Sequence, residues 1–307
     1  MSDILWSPDS SQSCEMQQFM KYVNDEHELN FDTYEQLYRW SINCGSDFWA
    51  SIWKYTNIIH SVPYDEVVDD INRMPGAKWF SGSRMNFAEN LLRYKDEKLA
   101  IQFKGEGQPV RSLTYKELYN EVEILASALK NAGLQEGDRV AGFLPNLPEA
   151  IIAMLATASI GAIWSASSPD FGIKGALDRF SQIKPKFLFA ADGYFYNGKS
   201  FDSLEKLREI LEDLPSVEKV ILIPYTEDDF DASNISHAFY YEDFVDRNNY
   251  DSLVFEQLPF NHPLYIMYSS GTTGLPKSIV HSTGGTLIQH LKELKLHVDL
   301  GRDDTIF

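Results

Sequence analysis

Strand and helix patterns alternate along most of the chain, and this alternation restricts the fold more than any other feature. Short apolar runs typical of strands occupy 99–103, 138–144, 161–165, 186–190 and 219–224. Helical patterns lie between them: after Thr114, from Pro148, over 173–183 and over 201–214. This βαβα order predicts an α/β fold whose mostly parallel sheet is flanked by helices.

The ends of these helices carry recognisable signals. Thr114 is a favoured N-cap residue, and Gly133 is a favoured residue just beyond a helix. Pro148 suits the first turn of a helix, where its missing N–H has no partner to lose. The signals therefore support the alternation independently of the apolar spacing.

The first part of the chain, 1–94, has a different character because it is rich in large aromatic and aliphatic side chains. Asp32 or Thr33 can cap a helix in which Tyr34, Leu37, Tyr38 and Ile42 recur near helical spacing, and a second helix can start at 46–47. Side chains at such spacing are usually core residues, so we predict a helical, aromatic-rich N-terminal region and no aromatic ligand platform.

The stretch 265–281, which reads YIMYSSGTTGLPKSIVH, combines an apolar strand with a loop of glycines and hydroxyl residues. Glycine lets backbone N–H groups approach an anion, Ser and Thr add donors, and Lys277 adds a point charge. This composition predicts a phosphate cradle. It is not a Walker A loop, because that pattern has a glycine directly before its lysine where this chain has Pro276.

The segment YSSGTTGLPK at 268–277 resembles the signature loop of the adenylate-forming ligases, which include the acyl-CoA synthetases. Three further stretches narrow the resemblance: WFSGSRMNFAENLL at 79–92, SASSPDFG at 165–172 and IVHSTGG at 279–285. They are similar to the branch that activates short acids, and most similar to its acetoacetyl-CoA synthetase group. The likeness runs from about residue 31 to residue 307.

The resemblance implies a domain arrangement. Residues 1–95 would form an acetyl-CoA-synthetase-type N-terminal region, and residues 96–307 the first part of the AMP-binding domain. In the family, later residues supply the acyl pocket, a magnesium glutamate, a ribose-binding aspartate and a mobile C-terminal domain with the adenylation lysine. The resemblance therefore assigns no catalytic residue within this sequence.

The implied reaction converts acetoacetate, ATP and CoA to acetoacetyl-CoA, AMP and pyrophosphate through an acyl-adenylate, with Mg²⁺ as cofactor. The resemblance assigns a β- and γ-phosphate cradle to seven residues: Ser269, Ser270, Gly271, Thr272, Thr273, Gly274 and Lys277. It places the hydroxyl near Mg²⁺ on Thr272 or Thr273. The helix expected over 284–297 would add positive potential if its N-terminus faces the phosphates.

A CoA contact is implied by the segment ADGYFYNGKS at 191–200. Acetyl-CoA synthetases have arginines at the positions held here by Tyr196 and Lys199. Lysine still suits a phosphate, and tyrosine can stack on adenine. The same residues also fit a solvated turn around Gly193 and Gly198.

The charge and the cysteine content of the chain limit its possible partners and its cellular location. The formal net charge of −18 over 307 residues opposes nucleic acid or an acidic membrane surface as a partner. Cys14 and Cys44 are far apart and in no metal-binding motif, so we expect a reducing, cytoplasmic setting. Two hypotheses about this chain stay open: part of an acid:CoA ligase, with another short-chain acyl-CoA synthetase as the nearest alternative, or a catalytically silent nucleotide- or CoA-binding module. The oligomeric state is also open.

Overall fold

The computed structural model describes residues 14–227, 229–270 and 274–307. The chain divides into two compact units. The first comprises the residues up to Ser83 together with Gly284–Phe307, and the second is Arg84–Thr283.

The first unit contains three helices and a two-stranded antiparallel sheet near its start: α1 (Glu15–His27), α2 (Tyr34–Asn43), α3 (Gly45–Tyr55), β1 (Glu66–Val68) and β2 (Trp79–Ser81). Thr33 caps α2, because its hydroxyl accepts from the Gln36 N–H while the Gln36 side chain accepts from the Thr33 N–H. The aromatic-rich helical region is confirmed. The sequence prediction missed α1, whose buried Phe19 and Val23 are four residues apart.

Of the four residues predicted to share the core stripe of α2, Leu37 is buried, but the prediction is wrong for Tyr34, Tyr38 and Ile42. They are 55%, 48% and 59% exposed, whereas Leu37 and Trp40 of the same helix are buried. Helix α2 therefore has apolar residues on two stripes, and periodicity alone does not say which stripe faces the core.

The described residues of the second unit form thirteen strands: β3 (Arg84–Met85), β4 (Leu99–Lys104), β5 (Val110–Thr114), β6 (Arg139–Phe143), β7 (Ile163–Ser167), β8 (Phe187–Ala191), β9 (Gly193–Tyr196), β10 (Lys199–Asp202), β11 (Lys219–Ile223), β12 (Ala238–Tyr240), β13 (Leu258–Pro259), β14 (Pro263–Ser269) and β15 (Lys277–Ser282). Its helices are α4 (Phe87–Leu91), α5 (Tyr115–Asn131), α6 (Pro148–Ser159), α7 (Gly172–Ile183), α8 (Leu204–Glu212) and α9 (Tyr241–Phe244). Helix α10 (Thr283–Lys292) continues into a π-helical turn, Glu293–His297.

Seven of these strands form one sheet in the order β12-β11-β8-β6-β7-β14-β15. Every neighbouring pair is parallel except β14 and β15, which form an antiparallel hairpin at one edge. The predicted α/β class is confirmed. Strand β4 does not join this sheet, because it pairs only with β5 in an antiparallel hairpin.

The main core lies between the sheet and the helices α7 and α8. Phe143, Leu188 and Leu222 from the strands pack with Phe180 and Leu207 from the helices, and all five are fully buried. The predicted helix over 201–214 starts only at Leu204, because 199–202 form β10. In the part of the chain that the structure describes, no helix has the length and apolar character needed to cross a membrane.

Candidate functional site: a loop at the carboxyl edge of the sheet

The glycine-rich loop connects β14 to β15. The last pair of this antiparallel ladder joins Ser269 to Lys277, so Ser270 and residues 274–276 lie outside it. The ladder therefore does not use the amides of Ser270, Gly274 and Leu275, as a continuous β-ribbon would. Gly271, Thr272 and Thr273, including both candidates for the Mg²⁺ hydroxyl, lie outside the described residues.

The described flanks of the loop have the properties that an anion site needs. Ser270, Gly274 and Lys277 are exposed. Gly274 has φ +122°, a backbone conformation that L side chains rarely adopt. Within residues 14–227, 229–270 and 274–307, Lys277 has no carboxylate partner, so its charge is free to meet a phosphate.

The loop lies at the edge of the sheet where parallel strands end. Strand β14 is parallel to β7, so residues 166–168 and 269–270 emerge on the same side. In open α/β sheets, ligands bind outside the carboxyl ends of the strands. The helix that would add positive potential if its N-terminus faced the phosphates is α10. It begins directly after Ser282, which pairs with Pro263 at the opposite end of the hairpin from Lys277.

A cavity of about 440 Å³ lies at this edge. Residues 164–168 of β7 and its following turn, residues 265–268 of β14, Met154, Phe171 and Arg179 line it. Within it, the Ser165 hydroxyl donates to the Ile266 carbonyl oxygen (2.9 Å) and to the Tyr268 hydroxyl oxygen (3.1 Å), two alternatives for one proton. Burial raises the pKa of Tyr268, so this phenol stays neutral and able to donate at physiological pH.

Arg179 is a cavity residue that the sequence analysis did not single out. Its guanidinium lies 4.2 Å from the centroid of the Phe171 ring and 5.7 Å from that of Tyr268, and its Nη1 donates to the Gly175 carbonyl. Ring stacking and this hydrogen bond fix the side chain beside the entrance to the loop. In the sequence, Arg179 was visible only as a charged residue within a predicted helix, and such residues are ordinarily solvated.

Tyr196 and Lys199 face each other across a tight turn. They form the last pair of the β9–β10 hairpin, and Asn197 and Gly198 between them have φ of 51° and 74°, as a two-residue hairpin requires. The Glu106 carboxylate accepts from the Asn197 and Gly198 amides. Three inter-strand steps separate β8, which precedes this hairpin, from β14, or about 14 Å.

The motif at 79–92 contains two buried asparagines with structural partners. The Asn86 amide nitrogen lies 3.0 Å from the Ala158 carbonyl oxygen, 3.3 Å from that of Ser159 and 2.8 Å from that of Glu256. Its side-chain oxygen caps α4, and the Asn90 side chain donates to the Asn86 carbonyl. The motif therefore ties three chain segments together and leaves no buried Asn86 donor for a ligand.

Comparison with protein families places these features in context. A family described as AMP-binding enzyme matches residues 87–307, which is more than half of the chain. The chain belongs to the AMP-binding enzyme family. A second family, described as acetyl-coenzyme A synthetase N-terminus, matches residues 34–91. The resemblance drawn from the loop and its flanking motifs is thereby confirmed.

Individual relatives of this chain are named as CoA synthetases. An acetoacetyl-CoA synthetase from Gallus gallus is 49% identical over 99% of this chain and 47% of its own length. A malonamoyl-CoA synthetase from Penicillium aethiopicum is 41% identical over 99% of this chain and 44% of its own length. The chain spans about half the length of the relatives it matches.

A solved structure shows the same fold. The acetoacetyl-CoA synthetase from Streptomyces lividans superposes with a TM-score of 0.91 at 39% identity. The match covers 98% of this chain and 46% of that chain. The seven-stranded sheet with its edge hairpin is therefore shared with a synthetase of this family.

Proposed function

We propose that this chain is the nucleotide-phosphate-binding part of an acetoacetate:CoA ligase, which forms acetoacetyl-CoA, AMP and pyrophosphate from acetoacetate, ATP and CoA. The observation that supports the proposal is the exposed side chain of Lys277 at the end of the β14–β15 ladder, which has no carboxylate partner among residues 14–227, 229–270 and 274–307. The relatives named acetoacetyl-CoA synthetase support the choice of reaction.

In this proposal the chain contributes positioning and charge, with no covalent step of its own. The backbone amides and hydroxyls of Ser269, Ser270, Gly271, Thr272, Thr273 and Gly274, together with Lys277, hold the β- and γ-phosphates. Holding them in place leaves the α-phosphate open to the incoming carboxylate. Bound Mg²⁺, near Thr272 or Thr273, would neutralise phosphate charge.

The proposed CoA contact at Tyr196 and Lys199 rests on their adjacency across the turn. Tyr196 is 66% exposed, so its ring is available for stacking on an adenine. Glu106 beneath the turn adds a negative charge, which leaves Lys199 to offset it before any phosphate is attracted. We therefore place the CoA role second to the phosphate role.

We also propose a domain organisation and a cellular location for this chain. Residues 1–95 form an acetyl-CoA-synthetase-type N-terminal region, and 96–307 the first part of the AMP-binding domain. A cytoplasmic setting fits the two free cysteines, Cys14 and Cys44. Since the chain spans about half the length of its relatives, we propose that it binds nucleotide phosphates by itself without turnover.

Acetoacetate-dependent exchange between ATP and pyrophosphate tests the reaction. We expect exchange from a full-length enzyme containing this sequence, highest with acetoacetate among acetoacetate, acetate, propionate and butyrate. We expect none from residues 1–307 alone, which should still bind MgATP. A preference for another acid would replace acetoacetate as the assigned substrate. Exchange by the 307-residue chain would contradict the proposal that this chain binds nucleotide phosphates without turnover.

Replacing Lys277 with alanine in the full-length enzyme should raise the ATP concentration for half-maximal exchange about tenfold or more, since hydrogen bonds to charged groups contribute roughly 1.5–3 kcal/mol. Lys116→Ala is the matched control, because Lys116 is a surface lysine that pairs with Glu97. An unchanged ATP dependence in Lys277→Ala would count against the phosphate role of this lysine.

A further inference from the structure

The Gln182 side chain of helix α7 holds the start of β15, the strand that follows the loop. The Gln182 Nε2 donates to the Pro276 carbonyl oxygen at 2.9 Å, and the Ser278 hydroxyl donates to Gln182 Oε1 at 3.0 Å. Both ends of one amide are thus engaged by residues on either side of Lys277. Because the Pro276 carbonyl belongs to the same peptide unit as the Lys277 nitrogen, Gln182 fixes the direction in which the backbone reaches Lys277.

The same helix also contacts the strand that enters the loop. The Tyr268 hydroxyl lies 3.3 Å from the Arg179 carbonyl oxygen, and the Arg179 guanidinium lies over the Tyr268 ring. Arg179 and Gln182 are three residues apart and so share one side of the helix. One turn of α7 therefore supports both stems of the loop.

We propose that Gln182 is a positioning residue for the phosphate loop, with the Tyr268–Arg179 contact as its counterpart on the entering strand. This inference rests on the proposed phosphate-binding function. Glycine-rich loops lose much conformational freedom when they are ordered, and that loss opposes binding. By holding the stem residues Tyr268, Pro276 and Ser278 before any ligand arrives, α7 lowers the cost of ordering Lys277 for a polyphosphate.

Amide hydrogen exchange of the 307-residue chain without ligand tests the positioning itself. Gln182→Ala removes both hydrogen bonds to the stem, together with the bond from Nε2 to the Asp178 carbonyl oxygen within α7, and we expect roughly tenfold faster exchange in the loop stems at 268–270 and 274–278. Ser278→Ala removes one bond and should give a smaller increase. Ser181→Ala is the control, because its hydroxyl bonds only within α7, to the Leu177 carbonyl. Unchanged stem exchange in Gln182→Ala would overturn the proposal.

Titration with magnesium tripolyphosphate tests the consequence for binding. We expect Gln182→Ala to weaken tripolyphosphate binding roughly tenfold while its urea unfolding midpoint stays at that of the natural chain, a combination that a purely structural role would not give. Gln182→Glu keeps the acceptor for Ser278 but loses the donor to Pro276, so it should not restore affinity. Equal affinity in the natural chain and Gln182→Ala would contradict the proposal.

The exchange and titration experiments distinguish the positioning role of Gln182 from the proposed phosphate-binding function. If the natural chain binds no tripolyphosphate, the proposed phosphate role of the isolated chain fails. The exchange experiment still decides whether Gln182 holds the loop. If tripolyphosphate binds but the loop stems exchange equally fast in all variants, the function stands and the positioning role of Gln182 is refuted.

Discussion

Replacing Asp192 with alanine is expected to lower the free energy of unfolding by about 3–5 kcal/mol, because it leaves four partly buried donors without their acceptor. Asp192 is only 3% exposed and directly follows β8. Its carboxylate accepts from the backbone N–H groups of Tyr225, Thr226 and Glu227, at 2.6–3.1 Å, and from the Thr226 hydroxyl.

Urea unfolding followed by circular dichroism measures the effect. Asp192→Asn keeps the shape and one acceptor oxygen, so its loss should be smaller, at roughly 1–2 kcal/mol. Asp213→Ala, at the exposed end of α8, is the surface control and should stay within about 0.5 kcal/mol of the natural chain. A loss below about 1 kcal/mol in Asp192→Ala would mean that water replaces the carboxylate in its hydrogen bonds.

Much of the fold could be predicted because local signals agreed with tertiary structure. Helix α5 illustrates this agreement: Thr114 caps it, its apolar stripe is buried, and Gly133 follows it with φ +93°. Strand β8 is apolar throughout and β11 is apolar after Lys219; they have five and four buried residues, as expected for the interior of a parallel sheet. Where apolar spacing, capping residues and length all indicate the same helix or strand, the sequence alone is enough to predict it.

The failures have a common physical origin in choices that only distant residues decide. Tyr34, Tyr38 and Ile42 satisfy helical spacing, yet the stripe containing Leu37 and Trp40 faces the core. Strand β4 has a strand pattern, but its partner is β5 and not the main sheet. A periodic pattern identifies an element but does not identify its neighbour.

In the candidate site, too, local features could be predicted and long-range contacts could not. The glycine-rich loop was visible in the sequence because its residue types are themselves the donors. Gln182 was not visible, because its partner Pro276 lies 94 residues along the chain and neither residue type suggests a contact. Arg179 was hidden for the same reason, since its stacking on Tyr268 depends on how α7 packs against β14.

Replacing Asn86 with alanine is the second substitution for which we expect a large effect, about 3–4 kcal/mol of unfolding free energy. Asn86 is fully buried, and its amide serves the carbonyl oxygens of Ala158, Ser159 and Glu256. Alanine leaves these carbonyls short of a donor and also removes the α4 cap, which contributes about 1 kcal/mol. Urea unfolding measures the loss, with the exposed Asn131→Ala on α5 as control.

Asn86→Asp separates the hydrogen bonds from the volume of the side chain. It keeps the shape and the cap acceptor but turns a carboxylate oxygen toward three carbonyl oxygens. Burial and these oxygens disfavour the charged form, so the folded-state pKa of this aspartate should lie above its unfolded value. The unfolded state then binds fewer protons near neutral pH, and the stability of Asn86→Asp should rise as pH falls through the folded-state pKa. A stability deficit relative to the natural chain that stays constant from pH 7 to pH 5 would show that the site admits enough water to solvate the charge, and that the donated hydrogen bonds contribute less than the geometry indicates.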